Sequence, residues 1–176
     1  MKYLFILLLM AFGFSSCLKQ SIADAMLEEK NGPAASMSYK VNGTPVSITI
    51  QNADKQDRNN PTLACLKTNF YNLQAVGNFG EFTFNFFTDS LTVGHYLYPT
   101  RYGNMFFISN NNVNLFVNSP TDSMSFNVTS YENGHISGNF TGVLTPLKSA
   151  GVVDIYGAPS SVHITEGSFK NVPVFY

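Results

Sequence analysis

The chain of 176 residues has no tryptophan, only two cysteines, and charged side chains at just 12% of its positions. Each shortage excludes something. Lysine and arginine number 10 against 11 acidic residues, so there is no concentrated basic face of the kind that holds nucleic acid. The three histidines, His95, His135 and His163, stand far apart, with no second histidine or cysteine at ligand spacing, and no metal site is expected. No glycine-rich phosphate loop, catalytic signature or cofactor motif occurs, and neither an enzyme nor a cofactor is expected. The missing indole also removes one ring with which proteins stack on sugars. Asparagine, serine, threonine, glycine and the smaller aromatics are plentiful instead, including 16 phenylalanines and 9 tyrosines, which suits a β-rich exported domain.

Long apolar runs are equally scarce, with one exception at the start. Lys2 precedes the run from Tyr3 to Phe14, 12 residues that are too few for the roughly 20 that span a bilayer and suited to the core of a signal peptide. Phe14-Ser15-Ser16-Cys17 resembles the bacterial lipobox, with phenylalanine where leucine is usual. It implies cleavage after residue 16 and a diacylglycerol on Cys17. Cys65 is then left without a partner, so no intramolecular disulfide is expected. Its setting, Leu63-Ala64-Cys65-Leu66, is that of a small buried hydrophobe.

Three regions follow: a signal peptide at 1–16, a lipidated cysteine and tether at 17–36, and a single β-domain at 37–176. The mature chain of 160 residues suits one core that buries roughly two thirds of the unfolded surface. Within the tether, Ser21 and Asp24 can cap a short helix ending before Gly32-Pro33. From Ser38 the apolar period is two. Asn42-Gly43 signals a type I′ hairpin that pairs Val41 with Thr44, Lys40 with Pro45 and Tyr39 with Val46. That register puts Tyr39, Val41, Val46, Ile48 and Ile50 on one face. Pro45, lacking an N–H, places this strand at a sheet edge. Phe82, Phe84 and Phe86 alternate with polar residues, as do Met124, Phe126 and Val128. Across the second turn, Asn133-Gly134, simple pairing sets Phe140 against Asn127. A bulge near Thr129-Ser130 is therefore expected, bringing Val128 opposite Phe140. Weaker strand signals cover 62–70, 73–76, 94–98, 105–109, 113–117 and 162–169. About ten short strands imply an all-β fold, an antiparallel sandwich or a flattened barrel.

The order of Val41-Asn42-Gly43-Thr44, then Gly94-His95-Tyr96-Leu97, Ile136-Ser137-Gly138-Asn139-Phe140-Thr141-Gly142 and Ile164-Thr165-Glu166-Gly167-Ser168-Phe169 resembles a family of small β-rich lipoproteins of Bacteroidota. The family's function is uncharacterised. The resemblance implies an all-β fold and anchoring in the outer membrane, and supplies no catalytic residues. Surface display in that lineage goes with acidic residues just after the lipidated cysteine. Here Leu18-Lys19-Gln20-Ser21-Ile22 follows, which favours a periplasm-facing domain over a surface-exposed one.

Candidate functional residues are few. Tyr96, Tyr98, Arg101 and Tyr102 gather three phenol rings and a forked cation beside Pro99, a surface that suits a glycan or another flat ligand. Asp89-Ser90-Leu91 and Asp122-Ser123-Met124 resemble the acceptor motif for O-glycosylation in Bacteroidota, with Ser90 and Ser123 as acceptors. Asp54, Asp57, Asn59 and Asn60 lack the ordered spacing of a calcium loop. Ser137 in Gly134-His135-Ile136-Ser137-Gly138 is one place late for a hydrolase elbow. The expected function is a lipid-anchored binding or interaction module of the cell envelope, with an envelope protein or glycan as partner; a surface glycan-binding accessory lipoprotein is the alternative.

Overall fold

A computed structural model describes residues 33–97, 103–109, 115–118, 124–147 and 159–176. The signal peptide, Cys17 and the capped tether helix lie outside them. Eleven strands are present: β1 (Ala35–Val41), β2 (Thr44–Ile50), β3 (Leu63–Lys67), β4 (Tyr71–Gly77), β5 (Gly80–Phe86), β6 (Gly94–Leu97), β7 (Gly103–Ser109), β8 (Leu115–Val117), β9 (Met124–Glu132), β10 (His135–Pro146) and β11 (Val162–Phe175). β1 starts two residues inside the range assigned to the tether. A single 3-10 turn, Ala53–Lys55, is the one helical element among the described residues, none of which forms a helix long and apolar enough to cross a membrane.

The all-β expectation holds, and the sheet is a single curled one that forms a half-barrel. Its order is β2-β1-β11-β3-β4-β5-β7-β8-β10-β9-β6, and β10 also pairs with β11. The expectation of a purely antiparallel arrangement is corrected at one place. β11 continues past Phe169 to Phe175, and its Val174 and Phe175 run parallel to Cys65 and Leu66 of β3. Asn171 and Pro173 disguise that extension in the sequence, because neither residue type favours a strand interior.

Both hairpin turns form where Asn-Gly requires them. Asn42 and Gly43 have φ 49° and 84°, and Asn133 and Gly134 have 51° and 77°. The first hairpin has the expected register, with Lys40 opposite Pro45 and β2 at the edge of the sheet. Asn42 also fastens this turn to β11, its Oδ1 accepting from the His163 N–H at 2.8 Å.

Curvature comes from bulges. In β11 the register against β10 slips once between Val172 and Phe169 and again between Gly167 and Ile164. Asn171 and Glu166, the left-handed residues with φ 51° and 52°, fall in those two intervals. A bulge adds twist and bends its strand, and two of them on one 14-residue strand carry it from β1 and β10 round to β3. The bulge expected in β9 is present at Thr129, skipped between Ser137–Ser130 and Gly138–Val128. Its consequence is the reverse of that expected. The extra residue lies in β9, so Phe140 faces Phe126, and Val128 faces Gly138.

The inner face is aromatic. Phe82, Phe84, Phe86, Phe126, Phe140 and Phe169 are buried, and Phe126 packs against four of the other five at centroid separations from 3.9 to 5.6 Å. Fully burying each such ring contributes roughly 1.5–3 kcal/mol. β10 and β11 exchange rings for glycines across their ladder: Phe169 stands opposite Gly138 and Phe140 opposite Gly167. A Cβ on Gly138 would stand 2.1 Å from the Asn127 carbonyl oxygen, and one on Gly167 2.4 Å from that of Phe140. Only glycine admits the facing ring and backbone at both places.

Candidate functional site

The structure separates the residues nominated from sequence. Tyr96 pairs with Phe126 on the inward face of β6, is 6% exposed and packs edge-on against Phe86 at 4.9 Å. Its hydroxyl donates to the Thr92 carbonyl at 2.9 Å and accepts from the Thr92 N–H at 3.1 Å. It is a core residue whose polar tip is satisfied, which corrects its place in a ligand surface. Tyr98, Arg101, Tyr102 and Ser123 lie outside the described residues. Ser90 is exposed, in a turn closed by the Thr88 hydroxyl donating to the Ser90 carbonyl at 2.9 Å.

Cys65 is fully buried, as its apolar setting suggested, and burial pushes its thiol up to about 12. A thiol held protonated in this way is no nucleophile. Nearby, three phenols from distant parts of the chain meet. The Tyr176 hydroxyl is hydrogen bonded to that of Tyr131 and interacts with that of Tyr71. Tyr131 is pushed up to about 12, first by that hydrogen bond and then by burial; Tyr71 is raised first by burial and then by its bond to Tyr176. The Lys67 ammonium lies 4.3 Å from the Tyr71 ring centroid and donates to the Asp89 carbonyl at 3.3 Å. These phenols tie the end of β11 to β4 and β9.

A second tie joins the 3-10 turn to the β9–β10 turn. His135 sets Nε2 2.8 Å from an Asp54 carboxylate oxygen and Nδ1 2.9 Å from the Asn133 carbonyl. This pairing across 81 positions was invisible in the sequence. Among the described residues no group of three or more histidine, cysteine or acidic side chains stands together to hold a metal. Ser137 accepts the Asn171 N–H at 3.1 Å, so it steadies the β11 bulge where an elbow serine would point at substrate.

The outer face of β4, β5 and β7 has a different composition. Asn72, Asn85 and Asn104 stand opposite one another on three successive strands. Asn72 Nδ2 donates to Asn85 Oδ1 at 2.7 Å, and Asn85 Nδ2 donates to Asn104 Oδ1 at 2.9 Å. This amide ladder runs in one direction and ends in a carbonyl at Asn72 and an amide NH2 at Asn104. Asn72 Oδ1 is shielded from solvent and has no donor among the described residues. Gln74 and Thr83, also half-buried, form the next row of the same face. On the other side, Phe70 and Phe87 stand one pair beyond Tyr71 and Phe86, the last pair of the β4–β5 ladder, with ring centroids 5.4 Å apart. Phe87 is 45% exposed, unusual for a ring of its size. The sequence does carry the alternation that puts Asn72 and Asn85 outward. Their adjacency depends on the registers of three separate strands, which no local pattern records.

Comparison with protein-family models, with curated proteins and with solved structures returns no match, so the chemistry of these surfaces alone carries the functional reading.

Proposed function

We propose that this protein is a lipid-anchored binding module of the cell envelope without enzymatic activity, held in the outer membrane through Cys17 and facing the periplasm. The observation that carries the binding role is the exposed Phe87 ring, packed on Phe70 at the end of the β4–β5 ladder whose outer face carries a row of hydrogen-bonded amides. An exposed ring of this size is costly to hydrate, and aromatic rings are enriched in contact surfaces. Burial raises the Cys65 thiol and so removes it as a nucleophile. The partner is an envelope component, and the lipid brings the domain to it.

Two measurements test this reading. Cys17→Ser moves the protein from the membrane to the soluble fraction; continued membrane residence contradicts the anchor. The full mature chain co-sediments with isolated envelope material from its host, and Phe87→Ser reduces the bound fraction while the melting temperature stays the same. Absence of co-sedimentation contradicts the binding role.

A further inference from the structure

We infer that the pole of the domain at which the chain enters β1 rests on the lipid surface of the membrane that carries the anchor, with Phe87, Val93 and Tyr176 as its contact residues. This rests on the reading proposed above and names the envelope component as the zwitterionic lipid surface itself.

Direction supplies the first argument. β1 runs antiparallel to β11, so Ala35, where the chain enters the sheet, lies toward the C-terminal end of β11. The Lys67–Tyr71–Phe86 row, which closes β3, β4 and β5, stands at that same end, because β3 runs parallel to the last residues of β11. The β9–β10 turn is there too, His135 facing Pro173 of β11. The segment 18–32, between Cys17 and this pole, is 15 residues long and reaches at most about 50 Å. A lipid on Cys17 thus attaches the domain by this pole and not by the Asn42-Gly43 end. Attachment makes the contact intramolecular, so a patch too small to hold a free domain still engages.

The second argument is where apolar surface is left uncovered. Five large hydrophobic side chains are exposed among the described residues, and two of them, Val76 and Leu147, lie at the opposite pole, where β4 and β10 end. The other three gather at the entry pole. Phe87 directly follows Phe86, which faces Tyr71 across the β4–β5 ladder. Val93, 60% exposed, precedes Gly94; because β6 is antiparallel to β9, it lies beyond the Gly94–Val128 pair on the side of Tyr131. Tyr176, 73% exposed, is bonded to Tyr131 and interacts with Tyr71, so the phenol cluster joins the surroundings of Phe87 and Val93. A tyrosine, with an apolar ring and a polar tip, suits the headgroup level of a bilayer.

Charge decides which lipid. The β2–β3 connection leaves Ile50 opposite Ala35, and its Asp54 is tied to His135, so it belongs to the same pole. Lys55, Arg58 and Lys67 here stand against Asp54, Asp57, Asp89 and Glu132. This near balance gives no pull toward an anionic surface and suits a zwitterionic one.

The chain has no tryptophan, so a single introduced one is a unique reporter. The test uses the full lipidated chain, reconstituted through its own acyl chains into phosphatidylcholine vesicles with brominated tails. Phe87→Trp emission is quenched at least twofold relative to unbrominated vesicles and moves to shorter wavelength, whereas Val76→Trp, at the opposite pole, is unquenched. Val93→Trp gives the same result as Phe87→Trp and replaces it if that variant fails to fold. No quenching at either entry-pole position, or equal quenching at both poles, overturns the proposal. A chain that floats with the vesicles, leaves these reporters unquenched and still co-sediments with envelope material overturns the lipid contact alone, and its partner is another envelope component. A chain that does not float overturns the anchor and this contact with it.

Discussion

Phe86 and Phe87 are adjacent in the chain, the first closing β5 on its inner face and the second standing just beyond the strand. Phe86 is fully buried against Phe84, Tyr96 and Phe126, whereas Phe87 is 45% exposed and touches Phe70. The same contrast extends along both strands. Inward from β4 and β5 point Tyr71, Leu73, Ala75, Phe82, Phe84 and Phe86, all buried. Outward point Asn72, Gln74, Thr83 and Asn85, half-buried and tied to one another by side-chain hydrogen bonds where the asparagines meet. A period of two thus divides one pair of strands between two tasks. The inner face supplies stability through apolar burial; the outer face, whose amide bonds contribute little net energy in reach of water, is free to be specialised for recognition.

The largest effect is expected where the inner face is cut. Phe126→Ala removes a ring that packs against four others and should cost about 3–5 kcal/mol in chemical denaturation. A loss below about 1 kcal/mol would mean that the aromatic stack is not what holds the half-barrel closed. Next comes the exchange of rings for glycines between β10 and β11. Gly138→Ala drives a methyl to within 2.1 Å of a backbone oxygen that a strand ladder holds in place. Overpacking of this kind costs typically 1–3 kcal/mol, occasionally more, and should appear as a lowered melting temperature. Gly43→Ala, by comparison, meets no neighbouring atom and pays only for its positive φ.

How much of this was written in the sequence depends on the distance over which each feature is specified. The Asn-Gly turns and the alternating phenylalanines need only neighbouring residues, and the β1–β2 register and the inward set of β5 follow from them directly. The bulge at Thr129 was legible as a conflict between turn and pattern, though its sense was not: either Val128 or Phe126 opposite Phe140 keeps the inner face apolar, and the structure selects Phe126. The parallel end of β11 was hidden by Asn171 and Pro173, and nothing local names Cys65 and Leu66 as its partners. The amide ladder was hidden for the same reason. Tyr96 was misplaced because a tyrosine's polar tip suits a surface as well as a core; the Thr92 backbone that satisfies its hydroxyl makes the core position tenable.

A smaller effect is expected from alkali. Tyr131 is raised from 10.0 to about 12 and Cys65 from 9.0 to about 12 in the folded protein. Each group is therefore more easily deprotonated when unfolded. Their contribution to stability is complete below about pH 9, declines as pH rises above the unfolded values, and is lost by about pH 12. Melting temperature followed from pH 8 upward should fall across that window, in step with the tyrosinate absorbance band. Tyr131→Phe should flatten part of the fall, and an unchanged slope would dissociate the phenol cluster from stability.

The most direct measurement of the division between core and surface is a paired denaturation of Phe86→Ala and Phe87→Ala, one residue apart and identical in chemistry. The account predicts a loss of about 3–5 kcal/mol for the first and a change within about 0.5 kcal/mol for the second. Equal losses in the two variants would contradict it, because Phe87 would then be part of the core and not free for a partner.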